Sequence, residues 1–311
     1  MTTALPQLSD RVFLTDGGVE TDLMFNHGHD LPCFASIVMV NTNSGRSALE
    51  AYYRPYLELA GRLGHGFILE SPTWRASSDW AGPLGYDCES LDRANEAAIE
   101  LMRSLREAYA AGGNPIVVSG CVGPRGDGYQ PTEMMTADEA QSYHHRQLGC
   151  FARAGADMAA AVTMTYADEA IGIVRAAASH GLPVAVSFTT ETDGRLPDGA
   201  TLAEAIDRVD DATDHGPAYY MINCAHPDHF AGALDQGERW TNRIRGIRAN
   251  ASRMSHAELD EAEQLDDGDP REFGDLYRTL RDRFPQLTVL GGCCGTDHRH
   301  IQAVSNACGT Q

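Results

Sequence analysis

The sequence predicts an α/β fold, a (β/α)8 TIM barrel forming a single domain over residues 1–311, and three observations point to it. Short runs rich in Val, Ile and Phe recur eight times. Each is followed by a stretch of Ala, Leu, Glu and Arg at helical spacing. The strand runs are apolar along their whole length rather than alternating, as parallel strands covered on both faces are. A doubly wound open sheet is the alternative arrangement of the same elements.

Taken in order, the strands fall at Val12–Gly17, His65–Ser71, Pro115–Cys121, Asp157–Met164, Pro183–Thr189, Tyr219–Cys224, Arg243–Ala249 and Thr288–Gly292. Between them the periodic stretches Ser47–Leu63, Ser90–Ala111, Ala137–Ala154, Asp168–His180, Leu202–Thr213 and Glu272–Phe284 read as helices, several closed by a glycine suited to a C-cap. His298 and His300 begin a last helix. The acidic run "HAELDEAEQLDDGDP", His256–Pro270, reads as a solvated loop or helix face, because its carboxylates lack calcium-loop spacing. No linker, repeat or low-complexity segment divides the chain.

Composition narrows the chemistry. The 311 residues carry 24 basic and 44 acidic side chains, a formal net charge of −20, which repels nucleic acid and anionic membranes and leaves cationic small molecules as suitable partners. Every basic residue is an arginine. Without lysine there is no Schiff-base aldolase, no lysine-anchored pyridoxal phosphate and no Walker-type phosphate loop. The N-terminus has no secretory pattern, and no run approaches the roughly 20 apolar residues of a membrane span, so a cytoplasmic protein, monomeric or homodimeric, is expected. In a reducing compartment the eight cysteines read as thiols or metal ligands.

A barrel builds its active site where strands run into the loops that follow them. Cys224 ends the sixth strand, and Cys293 and Cys294 stand between glycines at the end of the eighth, in "GGCCGT". Strands six and eight lie close together at one rim of a closed barrel. Three thiolates can therefore meet on one ion, and three protein ligands with one open position suit a catalytic Zn2+. A vicinal disulfide between Cys293 and Cys294, or a chance pair, remains the alternative at this point. Cys33, Cys88, Cys150 and Cys308 read as packed thiols. Gly291, Gly292 and Gly295 read as the residues that let the turn present both cysteines, and Gly17 and Gly18 as letting a ligand approach main-chain N–H groups. Asp16 reads either as an amino-group anchor or as a loop cap.

"LTDGGVETDL", "SGCVGPRG", "AGAD", "INC", "DGRLPDGATLAEAI" and "VLGGCCGT" together resemble the homocysteine S-methyltransferases along nearly the whole chain. The resemblance implies a (β/α)8 barrel whose zinc is held by Cys224, Cys293 and Cys294 and takes the thiol of homocysteine at its open position. It implies an enzyme of methionine biosynthesis that moves a methyl group from a sulfonium (S-methylmethionine or S-adenosylmethionine) or betaine-type donor. The chain ends soon after "GGCCGT", where betaine-using and cobalamin-dependent relatives continue, so the sulfonium donors are the nearer match.

One departure stands out. The family's Glu-Thr pair after the fourth strand, whose Glu holds the amino group of homocysteine, is Val162–Thr163 here. Glu20, Glu70 and Glu191 are the strand-end carboxylates able to replace it, with Glu20 and Glu191 favoured. Trp74 is placed to stack on a cationic donor and Arg75 to clamp a carboxylate, against rim packing and a surface ion pair as their plain roles. His226 and His229 read as spare ligands or donor contacts. Val162 also admits a different thiol acceptor, and a non-catalytic zinc- or thiol-binding protein or a protein cycling Cys293 and Cys294 is the reading from another class.

Overall fold

The computed structural model describes residues 5–131, 133–235, 239–262 and 264–309; Glu263 of the acidic run and the first four residues lie outside that set. Eight parallel strands close in sequence order into one barrel: β1 (Phe13–Leu14), β2 (Gly66–Glu70), β3 (Ile116–Val122), β4 (Met158–Met164), β5 (Val184–Phe188), β6 (Tyr219–Asn223), β7 (Ile244–Ala249) and β8 (Val289–Gly292). The open-sheet alternative is thereby excluded. Eight principal helices alternate with them: α1 (Asn43–Leu63), α2 (Cys88–Tyr109), α3 (Ala137–Ala154), α4 (Ala167–Ser179), α5 (Leu202–Thr213), α6 (Pro227–Leu234), α7 (Pro270–Arg283) and α8 (His298–Cys308).

The helices begin where capping chemistry says they should. Thr42, Asp87, Thr136, Thr201, Asp269 and Asp297 each accept a hydrogen bond from a first-turn backbone N–H, satisfying donors that a helix leaves orphaned. Thr42 thus starts α1 four residues earlier than periodicity alone predicts. The first strand differs the other way: only Phe13–Leu14 are strand, against the expected Val12–Gly17. Thr15 and Asp16 still bond to β8, through the Leu290 carbonyl and the Gly292 N–H, and only from Gly17 does the chain turn to pack against the turn after β8.

Alternate strand residues fill two cores. Phe13, Ile68, Val117, Met158, Ala160, Tyr219, Met221 and Val289 pack inside the barrel, while Leu14, Phe67, Leu69, Val118, Ala159, Val186, Ile222 and Leu290 face the helices. Both sets are shielded from water, which is why each strand reads as a continuous apolar run; a fully buried side chain of this kind contributes roughly 1.5–3 kcal/mol.

The register slips between Ala161 and Met164, where β4 meets β5. The slip falls on Val162–Thr163, and a β-bulge re-aims side chains at such a point. At the opposite wall, the Tyr277 hydroxyl of α7 accepts from the Ala249 N–H (2.9 Å) and donates to the Gly291 carbonyl (2.6 Å). A helix side chain thereby bolts together the ends of β7 and β8, next to Cys293.

Candidate active site

A cavity of about 400 Å3 opens at the C-terminal rim of the barrel. Its walls come from the ends of seven strands, all but β5, and the loops after them, as a barrel active site requires. Asp16, Gly17, Gly18, Glu20, Trp74, Arg75, Thr163, Cys224, Cys293 and Cys294 all line it, whereas Glu191 does not.

Cys224, Cys293 and Cys294 place their sulfurs within 4.8 Å of one another. In this structure Cys224 and Cys293 form a disulfide across the barrel rim, and Cys294 is a free thiol 3.9 Å from Cys224 Sγ. The vicinal Cys293–Cys294 disulfide is therefore corrected: oxidation joins the two strand ends, and a metal would need the reduced trio. Burial pushes the Cys294 thiol up to about 11, so without a cation beside it the sulfur stays protonated.

Cys224 holds a left-handed backbone at φ 53°, and Thr163 does the same at φ 65°. Such conformations cost about 1–3 kcal/mol each and persist where neighbours over-determine them. Asn223 is that neighbour. Its carbonyl oxygen accepts from Thr163 N (2.9 Å) and Ser187 Oγ (2.6 Å), while its amide donates to Thr163 Oγ1 (2.8 Å) and lies 3.8 Å from Cys293 Sγ. One buried amide thus ties β4, β5, β6 and the cysteine turn together.

Gly17 and Gly18 line the cavity and also meet a packing constraint. The Gly18 N–H already donates to the Thr296 carbonyl (3.0 Å), and a Cβ on either glycine would run into the backbone of Thr296 or Cys293. They allow the β1 turn to press against the cysteine turn, and the Gly18 N–H is taken by Thr296. Gly295, at φ +79°, supplies the left-handed step that ends that turn.

The cavity floor holds a buried ion network that the sequence does not announce. Arg248, at the end of β7, donates from Nη2 to Asp16 Oδ1 (2.8 Å), from Nη1 to Glu70 Oε2, and from Nε to the Gly292 carbonyl (3.2 Å). Tyr52 donates to the other Asp16 oxygen and Ser119 to the other Glu70 oxygen. Asp16 is therefore neither a free amino-group anchor nor a loop cap but half of a shared ion pair. Two carboxylates share one guanidinium, and burial, opposed by Arg248 and reinforced by Glu70, pushes Asp16 up to about 7.

A folded-state value above the unfolded one means that the native protein binds the proton more tightly, so this group's contribution to stability falls as pH rises from about 4 to 7. Asp16→Asn is expected to remove that slope. Denaturant titrations at pH 4.5 and 7.5 should show wild type losing more stability than the variant on going to the higher pH; parallel losses would refute the assignment.

Glu20 lies on the turn after β1, half-buried, with Oε1 accepting from Ser36 Oγ (2.6 Å). Glu191 instead pairs with His256 Nδ1 (3.1 Å), whose other ring nitrogen lies 2.6 Å from the Cys224 carbonyl. That corrects the expectation for Glu191: it buttresses the backbone of a cysteine from outside the cavity. Arg75 lies at the rim, its guanidinium stacked over Trp80 and Trp74 and donating to the Cys33 carbonyl, while Trp74 donates to the Val162 carbonyl (3.4 Å). Both side chains line the cavity, and among the described residues Arg75 Nε has no hydrogen-bond partner. His226 caps α6 and His229 meets the Arg253 carbonyl, so neither histidine reaches the cavity.

Tyr129, on the loop after β3, is the site residue that sequence reasoning missed. Its hydroxyl lies 3.6 Å from Cys294 Sγ and 3.8 Å from Cys224 Sγ, and its ring stacks on His256 at 4.0 Å. No periodicity marks a loop tyrosine; the only signal was its place in a strand-end loop. The acidic run also departs from a plain solvated face. After a one-turn helix at His256–Asp260, Leu259, Ala262 and Leu265 turn toward the cavity mouth.

The homocysteine S-methyltransferase family matches residues 13–308. Homocysteine S-methyltransferase 4 of Zea mays is 22% identical over 325 residues, covering 94% of this chain and 88% of that protein. Betaine–homocysteine S-methyltransferase 1 of Rattus norvegicus is 25% identical over 258 residues, covering 76% of this chain and 60% of that protein. The crystal structure of the homocysteine methyltransferase MmuM from Escherichia coli in its oxidized form is similar with a TM-score of 0.75 at 21% identity, over 97% of this chain and 98% of that one. Its metallated form is similar with a TM-score of 0.71, over 96% of both chains. Among the described residues no helix is long and apolar enough to cross a membrane.

Proposed function

Because the chain belongs to the homocysteine S-methyltransferase family and is a methyltransferase, we propose that it carries the methyl group of a sulfonium, S-methylmethionine or S-adenosylmethionine, to the thiol of homocysteine, forming methionine with a zinc ion held by Cys224, Cys293 and Cys294. The observation that carries the reading is the convergence of three sulfurs within 4.8 Å on one wall of the rim cavity. The donor set fits: three soft ligands suit zinc, and a three-ligand site keeps a position for substrate. A zinc ion bound there would supply the Lewis acidity that deprotonates a thiol whose ordinary pKa is near 8.5.

The chain's own residues do the rest. Asn223 orients the Cys224 backbone and the Cys293 sulfur, and Tyr129 covers Cys224 and Cys294 from the mouth side. Trp74, Met24, Phe25, Phe34 and Leu259 make the cavity mouth largely apolar. In the transfer, an electron pair on the acceptor sulfur forms the new S–C bond as the C–S+ bond of the donor breaks. The donor leaves as a neutral thioether, and the thiol proton has already gone to solvent. Charge is thereby neutralised, and dry walls favour a step that separates no charge. Asp127 and Asp260 at the exposed mouth, with the net charge of −20, attract a cationic donor.

The test is zinc content of protein purified under reducing conditions, followed in the same preparation by methionine formation from homocysteine with S-methylmethionine, S-adenosylmethionine and betaine. One zinc per chain with methionine from a sulfonium is the expected result. Zinc without methionine would move the acceptor elsewhere, and a zinc-free protein would return the cysteines to redox chemistry.

A further inference from the structure

The carboxylates in and beside the cavity compete for the role that Val162 vacates, and their partners separate them. Asp16 and Glu70 are both consumed by Arg248 at the cavity floor. Glu191 is consumed by His256 outside the cavity. Asp127 and Asp260 are exposed at the mouth, where water screens them. Asp266 also lines the cavity without an ion pair, but both of its oxygens already accept hydrogen bonds, from Ser252 Oγ (2.6 Å) and the Gly268 N–H (3.2 Å).

Glu20 is different. It lines the cavity, it is half-buried, and among the described residues no arginine or histidine lies within 4.0 Å of its carboxylate. Its side-chain hydrogen bond comes from a neutral hydroxyl, Ser36. Burial raises its proton affinity, opposed first by the Ser36 hydrogen bond and then by the more distant fields of Arg75 and Arg248. A desolvated carboxylate without a cation is costly, and in a binding cavity the missing cation is supplied by the ligand.

We propose that Glu20 is the specificity-determining residue of the acceptor subsite, binding the α-ammonium of homocysteine from the β1 side of the cavity and making the site select amino-bearing thiols over thiol acids that lack the amino group. This rests on the reading of homocysteine as acceptor. The placement follows from the geometry: with the acceptor sulfur at the cysteine trio, a carboxylate on the turn that packs against the cysteine turn is within reach of the amino end of a four-carbon thiol. Val162 then presents an apolar wall where the family has its carboxylate.

The experiment compares homocysteine with 4-mercaptobutanoate, its des-amino analogue, in wild type, Glu20→Gln and the double variant Glu20→Gln/Val162→Glu. Two readouts are used: kcat/KM with the active donor, and calorimetric Kd on zinc-loaded protein without donor. Wild type should prefer homocysteine by roughly 10- to 100-fold, the value of one hydrogen-bonded charge. In Glu20→Gln the preference should collapse toward one, through acceptor KM and Kd rather than kcat, and the double variant should regain it.

A preference that survives Glu20→Gln, or a loss confined to donor KM, would overturn the assignment while leaving methionine formation intact. Failure of the wild type to bind homocysteine at all would overturn both readings. If Glu20→Gln is poorly folded, the single Val162→Glu variant decides: a second carboxylate should tighten homocysteine binding by less than tenfold if Glu20 already holds the ammonium, and a larger gain would refute it.

Discussion

Cys294→Ser is expected to abolish zinc retention and to lower methyl transfer by at least about 100-fold, the upper end of what removing even an outer-shell partner of a metal site costs. A serine hydroxyl is a hard, weakly acidic donor that cannot replace a thiolate on zinc. Cys224→Ser and Cys293→Ser should do the same, but each also removes the Cys224–Cys293 disulfide. Cys294→Ser leaves that disulfide possible, so it separates loss of metal from loss of the covalent link. Exposed Cys88 and buried Cys150, neither of which lines the cavity, serve as controls. Metal analysis beside turnover is the measurement. Full activity or full zinc in Cys294→Ser would remove the third ligand from the site, and in Cys224→Ser or Cys293→Ser would remove the site.

Arg248→Met is expected to destabilise the protein by about 3–5 kcal/mol at neutral pH, the usual cost of removing one partner from a buried ion network. The shape is roughly kept, but Asp16 and Glu70 are left beside each other, both buried, with no cation between them. One of two such carboxylates must take a proton, so the penalty shrinks as pH falls. Denaturant titrations should therefore show the gap between wild type and variant narrowing from pH 7.5 to pH 5. Adding Glu70→Gln should recover part of the loss at pH 7.5. A gap under about 1 kcal/mol, independent of pH, would mean that the network contributes little beyond packing.

These two variants also mark where sequence reading succeeds and where it stops. The cysteine trio was legible because its members end strands: each closes an apolar run, two are flanked by glycines, and a closed barrel brings the ends of β6 and β8 to one rim. Arg248 was not legible. It is one of 24 arginines, and its partners Asp16 and Glu70 lie 232 and 178 residues away in the chain. Tyr129 was hidden for a related reason, since a loop residue carries no periodicity and its contact with Cys294 spans 165 residues.

Glu191 and Glu20 looked alike as strand-end carboxylates, yet His256 pairs with one, and among the described residues no arginine or histidine lies within 4.0 Å of the other. The β1 strand was overextended because Thr15 and Asp16 still exchange backbone hydrogen bonds with β8, through the Leu290 carbonyl and the Gly292 N–H, without counting as strand.

The amino-acid sequence by itself determined the barrel, its eight strands and the three sulfurs, because a parallel strand buried on both faces and a helix with one apolar stripe are local patterns, each readable within a dozen residues. Which charges are spent and which are free was decided only by the tertiary structure. Ion pairs depend on distance through space, and closing the barrel sets Asp16, just past the first strand, and Arg248, in the seventh, 2.8 Å apart.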